Sequence, residues 1–161
     1  MMWKKNTRAG LAAAAFALVV VGCSDMFFGS RHNLIMPGPA RSMADGWETR
    51  RRRGGGHDWA IVRLGRPGRI RRVEVDTTHF KGNAPGRCSL EVCEADDVAP
   101  ADMAAPAWSW RELLGPTRLQ PHTRHLFEDE LTPGPPASHV RLNIFPDGGV
   151  ARLRVYGRLE A

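Results

Sequence analysis

Residues 45–83, DGWETRRRRGGGHDWAIVRLGRPGRIRRVEVDTTHFKGN, decide the fold expected for this chain. Apolar residues alternate with other side chains over residues 59–64, and with charged side chains over residues 72–76. Alternation with a period of two predicts strands that bury one face. The sequence Gly-Arg-Pro-Gly at residues 65–68 predicts a turn between these two strands.

Polar side chains are concentrated at the ends of these two strands. Four arginines occupy residues 50–53, three glycines follow at 54–56, and the loop HFKGN occupies residues 79–83. Loops at strand ends are common ligand sites on β scaffolds. In an extended segment Arg50 and Arg52 point the same way, so both can reach one ligand. The pattern predicts a site for a small anion.

Strand patterns continue downstream of this stretch. The alternating apolar positions are Leu90 and Val92, then Val140, Leu142 and Ile144, and finally Ala151, Leu153 and Val155. Pro-Asp-Gly-Gly at residues 146–149 predicts a hairpin turn in which glycine permits positive φ. Residues 110–114 are sufficient for one helical turn at most, and residues 95–107 and 132–138 are typical of surface loops. Many short strands with Gly/Pro turns predict an all-β chain folded as an antiparallel β-sandwich.

The charge of the chain does not favour nucleic-acid binding. A length of 161 residues suits one domain, and the net charge of +6 comes almost entirely from arginine, since Lys4, Lys5 and Lys81 are the only lysines. These cations lie within strand patterns and one turn, rather than along one face with interleaved aromatic residues. The sequence has no G-x-S-x-G, P-loop or dinucleotide-binding motif, which disfavours nucleophilic acyl transfer and nucleotide binding.

The three cysteines favour a reducing, cytoplasmic location. Cys88 and Cys93 are five residues apart, so on one strand they face opposite sides, roughly 17 Å apart. A disulfide requires Cα atoms within roughly 7 Å. Together with Cys23 the count is odd, and no zinc motif is present.

The N-terminus has two interpretations. In residues 1–23 a basic start precedes an apolar run that ends in Val-Val-Gly-Cys, as in a bacterial lipoprotein signal, which would export the chain and attach it to a membrane through an acylated Cys23. Alternatively, the apolar run supplies the first strand of the domain and the lipoprotein-like sequence is accidental. We favour the second interpretation, with a divergent or signal-like segment at 1–18 and one domain at 19–158.

Several further segments carry a family resemblance. They are SDMFFGSRHNLIMPG at 24–38, CSLEVCEA at 88–95, WRELLGPT at 110–117, HTRHLFEDE at 122–130 and HVRLNIFPDGGVARLRVYG at 139–157. Together with residues 45–83 they resemble the allantoicase (allantoate amidinohydrolase) family over nearly everything after residue 23. The resemblance implies a jelly-roll β-sandwich similar to galactose-binding domains. Full-length members carry two such repeats, whereas this chain resembles one, most like the second, C-terminal repeat.

The activity implied by the resemblance is hydrolysis of allantoate to ureidoglycolate and urea, a step of allantoin and purine catabolism. Allantoate is an anion whose central carbon carries two ureido groups. Its hydrolysis needs a guanidinium for the carboxylate, partners for the ureido groups and an acid/base pair.

Position in the family motifs implies the candidate site residues. The catalytic candidates are Glu48, His57, Asp76 and His79. The substrate-binding candidates are Arg50, Arg52, Asp58, Lys81 and Asn83.

A second polar segment, at 122–130, contains His122 and His125 in His-x-x-His spacing. A strand does not hold both imidazoles on one side, so this segment is better explained as a surface strand that runs into an acidic turn. We expect no cofactor and no structural metal, and the sequence leaves a catalytic divalent ion open. The expected partners are a small ureide and either a second copy of the chain or a partner repeat, without nucleic acid, and with a membrane only if Cys23 is lipidated.

A competing hypothesis is a non-catalytic module on the same sandwich. It would bind a ureide or a carbohydrate without turnover, as a truncated or split allantoicase or as a lipoprotein. Urea release from allantoate distinguishes the two hypotheses.

Overall fold

The computed structural model describes residues 14–95 and 108–160, and antiparallel strands dominate these residues. The strands are β1 Ala14–Ala15, β2 Leu18–Cys23, β3 Trp47–Glu48, β4 Asp58–Asp76, β5 Arg87–Cys93, β6 Arg111–Arg118, β7 Arg124–Phe127, β8 Ala137–Phe145, β9 Gly149–Val150 and β10 Arg152–Leu159. Two short 3₁₀ helices, Arg31–Ile35 and Met43–Asp45, are the helical elements of this part of the chain. The predicted all-β class is confirmed. Within the same residues, no helix has the length and apolar character needed to span a membrane.

The long strand β4 joins the two layers of the sandwich. Its first half pairs with β2 and β8, and its second half pairs with β10 and β7. β5 and β6 extend the first layer beyond β8, and β1 extends the second layer beyond β10. A separate two-stranded sheet consists of β3 and β9. Every one of these pairings is antiparallel, which confirms the predicted antiparallel β-sandwich.

The hydrophobic core lies between the two layers. Val62 from the first half of β4 and Val73 from its second half are both fully buried there. Leu142 of β8 and Leu153 of β10 meet them from opposite layers. In β8, Val140, Leu142 and Ile144 enter this core, whereas the alternate residues Arg141 and Asn143 lie on the other face of the layer.

The two cysteines of β5 lie on opposite faces, as predicted. Cys88 belongs to the main core, whereas Cys93 packs with Ile61 on the outer side of the first layer, beside half-buried tryptophans. Both thiols are free, and burial raises the pKa of Cys88 to about 12 and that of Cys93 to about 11. Neither thiol is therefore a nucleophile near neutral pH.

The turn predicted at residues 65–68 is wrong. β4 continues through these residues, and the Pro67 carbonyl accepts a hydrogen bond from the amide of Glu160 at 3.3 Å. The pairing of β4 with β8 shifts register between Arg63 and Gly68. Since each half of β4 has its own neighbours, the Gly-Arg-Pro-Gly segment at residues 65–68 carries the strand from one layer to the other instead of reversing it.

Two other local predictions are corrected. Residues 110–114 do not form a helical turn, because β6 begins at Arg111 and pairs with β5. Residues 146–149 contain Gly148 with φ +128°, as expected, but they do not close a hairpin. The flanking strands pair elsewhere, β8 with β4 and β5, and β9 with β3.

Three predicted segments remain, and two of them reach beyond the described residues. The loop predicted at 132–138 ends where β8 begins, at Ala137, and residues 96–107 of the other predicted loop lie outside the described residues. The end of the apolar N-terminal run is strand β2, whereas residues 1–13 lie outside the described residues. The boundary between 1–18 and 19–158 stays a prediction, and lipidation of Cys23 stays the alternative interpretation.

Candidate functional site

The loops at the two ends of β4 meet at one end of the sandwich. We name residues 50–57 the arginine loop and residues 79–83 the HFKGN loop. Residues 147–149, from the connection after β8 to the start of β9, hold both loops: Asp147 Oδ2 accepts a hydrogen bond from the amide of Arg52 at 2.8 Å, and the amide of Gly149 donates to the carbonyl of Asn83 at 2.9 Å. Candidate residues before and after β4, which are eighteen or more residues apart in the sequence, therefore lie at the same end of the sandwich. We call this end the rim.

Arg50 and Arg52 border a hollow of about 320 Å³, which we name the arginine hollow. Arg50 Nε donates to Asp25 Oδ1 at 3.0 Å, and its guanidinium lies 4.8 Å from the ring centre of Phe27. Arg52 Nη1 donates to Asp58 Oδ1 at 2.7 Å. Both arginines retain terminal N–H groups without a partner among the described residues, so both can bind an anion.

Asp58 is a buried residue in the lining of the arginine hollow. Its side chain is fully buried, and Oδ1 accepts hydrogen bonds from both Ser24 Oγ, at 2.8 Å, and Arg52. Within the part of the chain that the structure describes, Oδ2 has no hydrogen-bond partner. A buried carboxylate oxygen without a partner can accept a further hydrogen bond from a donor that enters the hollow. The charge of Asp58 also holds the Arg52 guanidinium in place.

Asp25 performs the corresponding role for Arg50. Burial raises the pKa of the Asp25 carboxyl, but hydrogen bonds from the amides of Arg50 and Phe27 and from the Arg50 guanidinium outweigh burial, so its pKa lies below the ordinary value. The carboxylate is therefore charged at neutral pH. The fully buried Trp47 positions this residue, since its Nε1 donates to the Asp25 carbonyl at 2.8 Å. Sequence reasoning assigned no chemistry to Ser24 and Asp25, although both stand in the SDMFF segment that carries part of the resemblance.

Glu48 and Asn83 lie together, as candidates for one site should. Asn83 Nδ2 donates to Glu48 Oε1 at 2.7 Å, which connects β3 to the HFKGN loop. Glu48 is half-buried, and its second carboxylate oxygen has no partner among the described residues. This oxygen is free to accept a hydrogen bond from a ligand.

His79 lies in a third group, with its own partners. Its Nε2 donates to the Ala40 carbonyl at 2.8 Å, and its backbone amide donates to Nδ1 of His122 at 2.8 Å. Both histidines have positive φ, +76° for His79 and +50° for His122. Such conformations are costly for non-glycine residues and are concentrated at functional sites. Sequence reasoning did not identify His122 as the neighbour of His79, because the two are 43 residues apart.

Asp76 and Lys81 flank this group. Asp76 is buried, and its Oδ1 accepts from Thr78 at the amide, 2.9 Å, and at the hydroxyl, 2.5 Å. These bonds shape the turn into the HFKGN loop, as an Asx turn does. Lys81 is exposed and has no hydrogen bond or ion pair among the described residues.

His57 points away from the arginine hollow. Its Nε2 lies 3.1 Å from Asn143 Oδ1, and its ring packs against Phe145 with centres 4.6 Å apart. Neighbouring residues at the start of a strand face opposite ways, so His57 lies on the outer face while Asp58 is buried. The predicted convergence of His57 with the arginines is therefore not what the structure shows.

The His-x-x-His segment places its two imidazoles apart. His125 Nδ1 contacts the Val75 carbonyl at 2.9 Å and its Nε2 accepts from the amide of Gln120 at 2.9 Å, whereas His122 faces His79. Residues 124–127 form strand β7, as the sequence predicted for a surface strand. Among residues 14–95 and 108–160, no three histidine, cysteine or acidic side chains lie close enough to hold a metal ion. The cofactor requirement stays a prediction.

The nine candidates thus fall into neighbouring groups on one rim, with one exception. Arg50, Arg52 and Asp58 line the arginine hollow; Glu48 and Asn83 bridge the two loops; Asp76, His79 and Lys81 lie at the HFKGN loop. The exception, His57, is turned to the outer face. Guanidinium groups beside a hydrogen-bonded carboxylate can bind an anion that also carries N–H groups.

Comparison with known proteins places the chain in a family. The family described as "Allantoicase repeat" matches residues 9–160. A protein of Pseudomonas paraeruginosa named "Probable allantoicase" is 52% identical over 153 residues, which cover 95% of this chain and 46% of that protein. "Probable allantoicase 2" of Burkholderia pseudomallei is 48% identical over 160 residues, or 98% of this chain and 48% of that protein. The chain spans about half the length of the curated relatives it matches.

Solved structures agree on the fold. The crystal structure of an allantoicase from Saccharomyces cerevisiae is 40% identical with a TM-score of 0.74, covering 88% of this chain and 40% of that one. A galactose-bound carbohydrate-binding module of Clostridium perfringens is 10% identical with a TM-score of 0.65, covering 90% of this chain and 99% of that module, so this likeness concerns the fold alone. The predicted galactose-binding-like sandwich and the single-repeat length are both confirmed.

Proposed function

Because the chain belongs to the allantoicase family, we propose that it is one repeat of a hydrolase that converts allantoate and water to ureidoglycolate and urea. The observation that carries this proposal is the 52% identity to a probable allantoicase over 95% of the chain. The rim geometry supports it, since two anchored guanidinium groups lie beside a buried carboxylate. Hydrolysis breaks one bond between the central carbon and a ureido nitrogen, forms a bond to a water oxygen and delivers a proton to the departing urea.

We assign roles to residues from their surroundings. Arg50 and Arg52 hold the substrate carboxylate through the N–H groups left after they bind Asp25 and Asp58. Asn83 presents its side-chain Oδ1 to a ureido N–H, since its Nδ2 donates to Glu48, and Glu48, which it orients, exchanges a proton with the leaving nitrogen. His79 is less suited to free proton exchange, because its Nε2–H is engaged with a backbone carbonyl.

The proposal includes a second component and a location. A partner repeat or a second copy of the chain completes the rim, in line with the two repeats that full-length members of the family carry. Buried, unpaired thiols at Cys88 and Cys93 support a cytoplasmic location.

The first test is urea release from allantoate by the purified chain, alone and together with a separately expressed first repeat of a relative. We expect Arg52→Ala to lower kcat/KM by at least about tenfold, since a charge-assisted bond contributes about 1.5–3 kcal/mol. Arg66→Ala is the matched control, because Arg66 is exposed in the bend of β4. Saturable allantoate binding without urea release under any of these conditions would contradict the hydrolase and favour the non-catalytic module.

A further inference from the structure

A second hollow, of about 580 Å³, lies beyond the glycine end of the arginine loop. Its walls include the side chains of Arg87 of β5, Arg118 of β6, Gln120, Phe145 and Pro146. These five side chains lie outside the arginine hollow and outside the HFKGN loop. We name this feature the Arg87–Arg118 hollow.

The two arginines face each other directly. Arg87 and Arg118 are paired residues of the antiparallel β5–β6 ladder, so their Cβ atoms are about 5 Å apart. Both are exposed, and neither has a hydrogen bond or ion pair within the described residues. Like charges directly opposite each other destabilise a sheet.

Another arginine pair in the chain shows how such repulsion is usually relieved. Arg69 and Arg158 also face each other, between β4 and β10. There Arg69 Nε donates to Glu160 Oε1 at 2.8 Å, so a carboxylate neutralises part of the charge. The Arg87–Arg118 hollow has no carboxylate among its lining residues, so a bound anion would supply the missing negative charge.

The other side chains that line the hollow favour an organic anion. Phe145 and Pro146 offer apolar surface, and the exposed Gln120 offers an amide. Such a wall suits an organic body better than a bare, strongly hydrated inorganic ion. The volume is that of a small-molecule site.

We propose that Arg87 and Arg118 form a binding site for a small organic carboxylate, whose body lies against Phe145 and Pro146. The site is distinct from the arginine hollow and does not rest on the proposed hydrolase. Two sources share this chemistry: a ureide carboxylate such as allantoate, and an unrelated carboxylate with a flat apolar body.

Titration of the isotope-labelled protein, followed by the amide resonances of Gly86 and Gln120, tests the site. The probes are benzoate, allantoate and inorganic phosphate. We expect saturable shifts at these amides with at least one of the two carboxylates, and the tighter carboxylate identifies the source. Arg87→Ala and Arg118→Ala should each weaken this binding at least about tenfold, as expected for loss of a charged hydrogen bond, whereas Arg158→Ala should leave it unchanged.

Arg118→Glu should raise the stability of the folded chain and abolish carboxylate binding in the Arg87–Arg118 hollow. It places a carboxylate opposite Arg87, so the melting temperature should rise by about 1–3 °C while carboxylate binding disappears. The absence of saturable shifts with either carboxylate, phosphate binding as tight as the better carboxylate, or unchanged binding in Arg118→Glu would each overturn the proposal. Because the readout is local binding and not urea release, an inactive hydrolase would leave the result interpretable.

Discussion

At the scale of single residues, the site depends on carboxylates that hold arginines in place. Asp58 is the central example, because it is fully buried, binds Ser24 and Arg52 through one oxygen, and leaves the other without a partner among the described residues. A paired guanidinium is restricted in direction, so it can be aimed at a ligand. We infer that the Arg52–Asp58 ion pair serves both local stability and the orientation of Arg52.

We predict that Asp58→Asn weakens both functions. Removal of the charge leaves Arg52 without its ion-pair partner. Because the Arg52 side chain is 33% exposed, water replaces part of this interaction. The free energy of unfolding should therefore fall by about 1–3 kcal/mol, which is less than the full cost of breaking a buried ion pair. Urea denaturation measures this change, with the exposed Asp129→Asn as the control. A double-mutant cycle with Arg52→Ala should show coupling of at least about 0.5 kcal/mol; additive effects would contradict the assigned pair.

At the scale of elements, the HFKGN loop is held by one aromatic ring. Phe80 is fully buried with Ala40 and Ala151, and glycines on two other segments make room for it. A Cβ at Gly149 would lie 2.0 Å from the Phe80 ring, and one at Gly46 would lie 2.7 Å from it. The absence of side chains at these positions lets the loop dock beside Asp147 and Glu48.

We therefore predict that Gly149→Ala displaces the HFKGN loop. The new methyl group overpacks the Phe80 ring, so stability should fall by about 1–3 kcal/mol and allantoate turnover should fall with it. Gly82→Ala is the matched control, because a Cβ at Gly82 meets nothing within 4 Å. Thermal unfolding and the assay for urea release measure both effects, and equal behaviour of the two variants would contradict this account of the packing.

At the scale of the whole molecule, a buried histidine on the outer face of the first layer makes the free energy of unfolding depend on pH. His139 of β8 is buried there, pairs across the sheet with Arg63 and Cys93, and contacts Ser138 Oγ through Nδ1 at 2.7 Å. Burial first, and then the charge of Arg63, lower the pKa of His139 below its ordinary value of 6.5. The folded chain therefore binds this proton less readily than the unfolded chain does.

Protonation of His139 therefore favours the unfolded chain. The stability contributed by neutral His139 is fully present above about pH 6.5, the pKa expected of the unfolded chain, and declines as the pH falls from there towards the lowered folded pKa. The urea midpoint of the wild-type chain should therefore decrease between about pH 7.5 and pH 5.5. His139→Gln should flatten this decrease, whereas His32→Gln, on an exposed residue, should not.

Much of the fold could be predicted from local pattern alone. Alternation over residues 59–64 and 72–76 predicted two strand segments correctly, because burial of one face is a property of neighbouring residues. The turn at 65–68 and the hairpin at 146–149 were wrong for a shared reason. Gly and Pro indicate a change of direction, but whether a chain reverses or crosses between layers depends on pairing with distant strands.

At the candidate site, too, local sequence and tertiary structure determine different features. The sequence by itself determined which chemical groups are present: an arginine run, the Glu48 and Asn83 pair of side chains, and the HFKGN loop, all within 36 residues of one another and all recognisable as family segments. Only the tertiary structure decided which of them meet, bringing Asp25 to Arg50 and His122 to His79, turning His57 away, and placing Arg87 opposite Arg118. The physical reason is that side-chain chemistry is local, whereas the partner of a charge or a hydrogen bond is set by strand register and layer crossing between residues far apart in the chain.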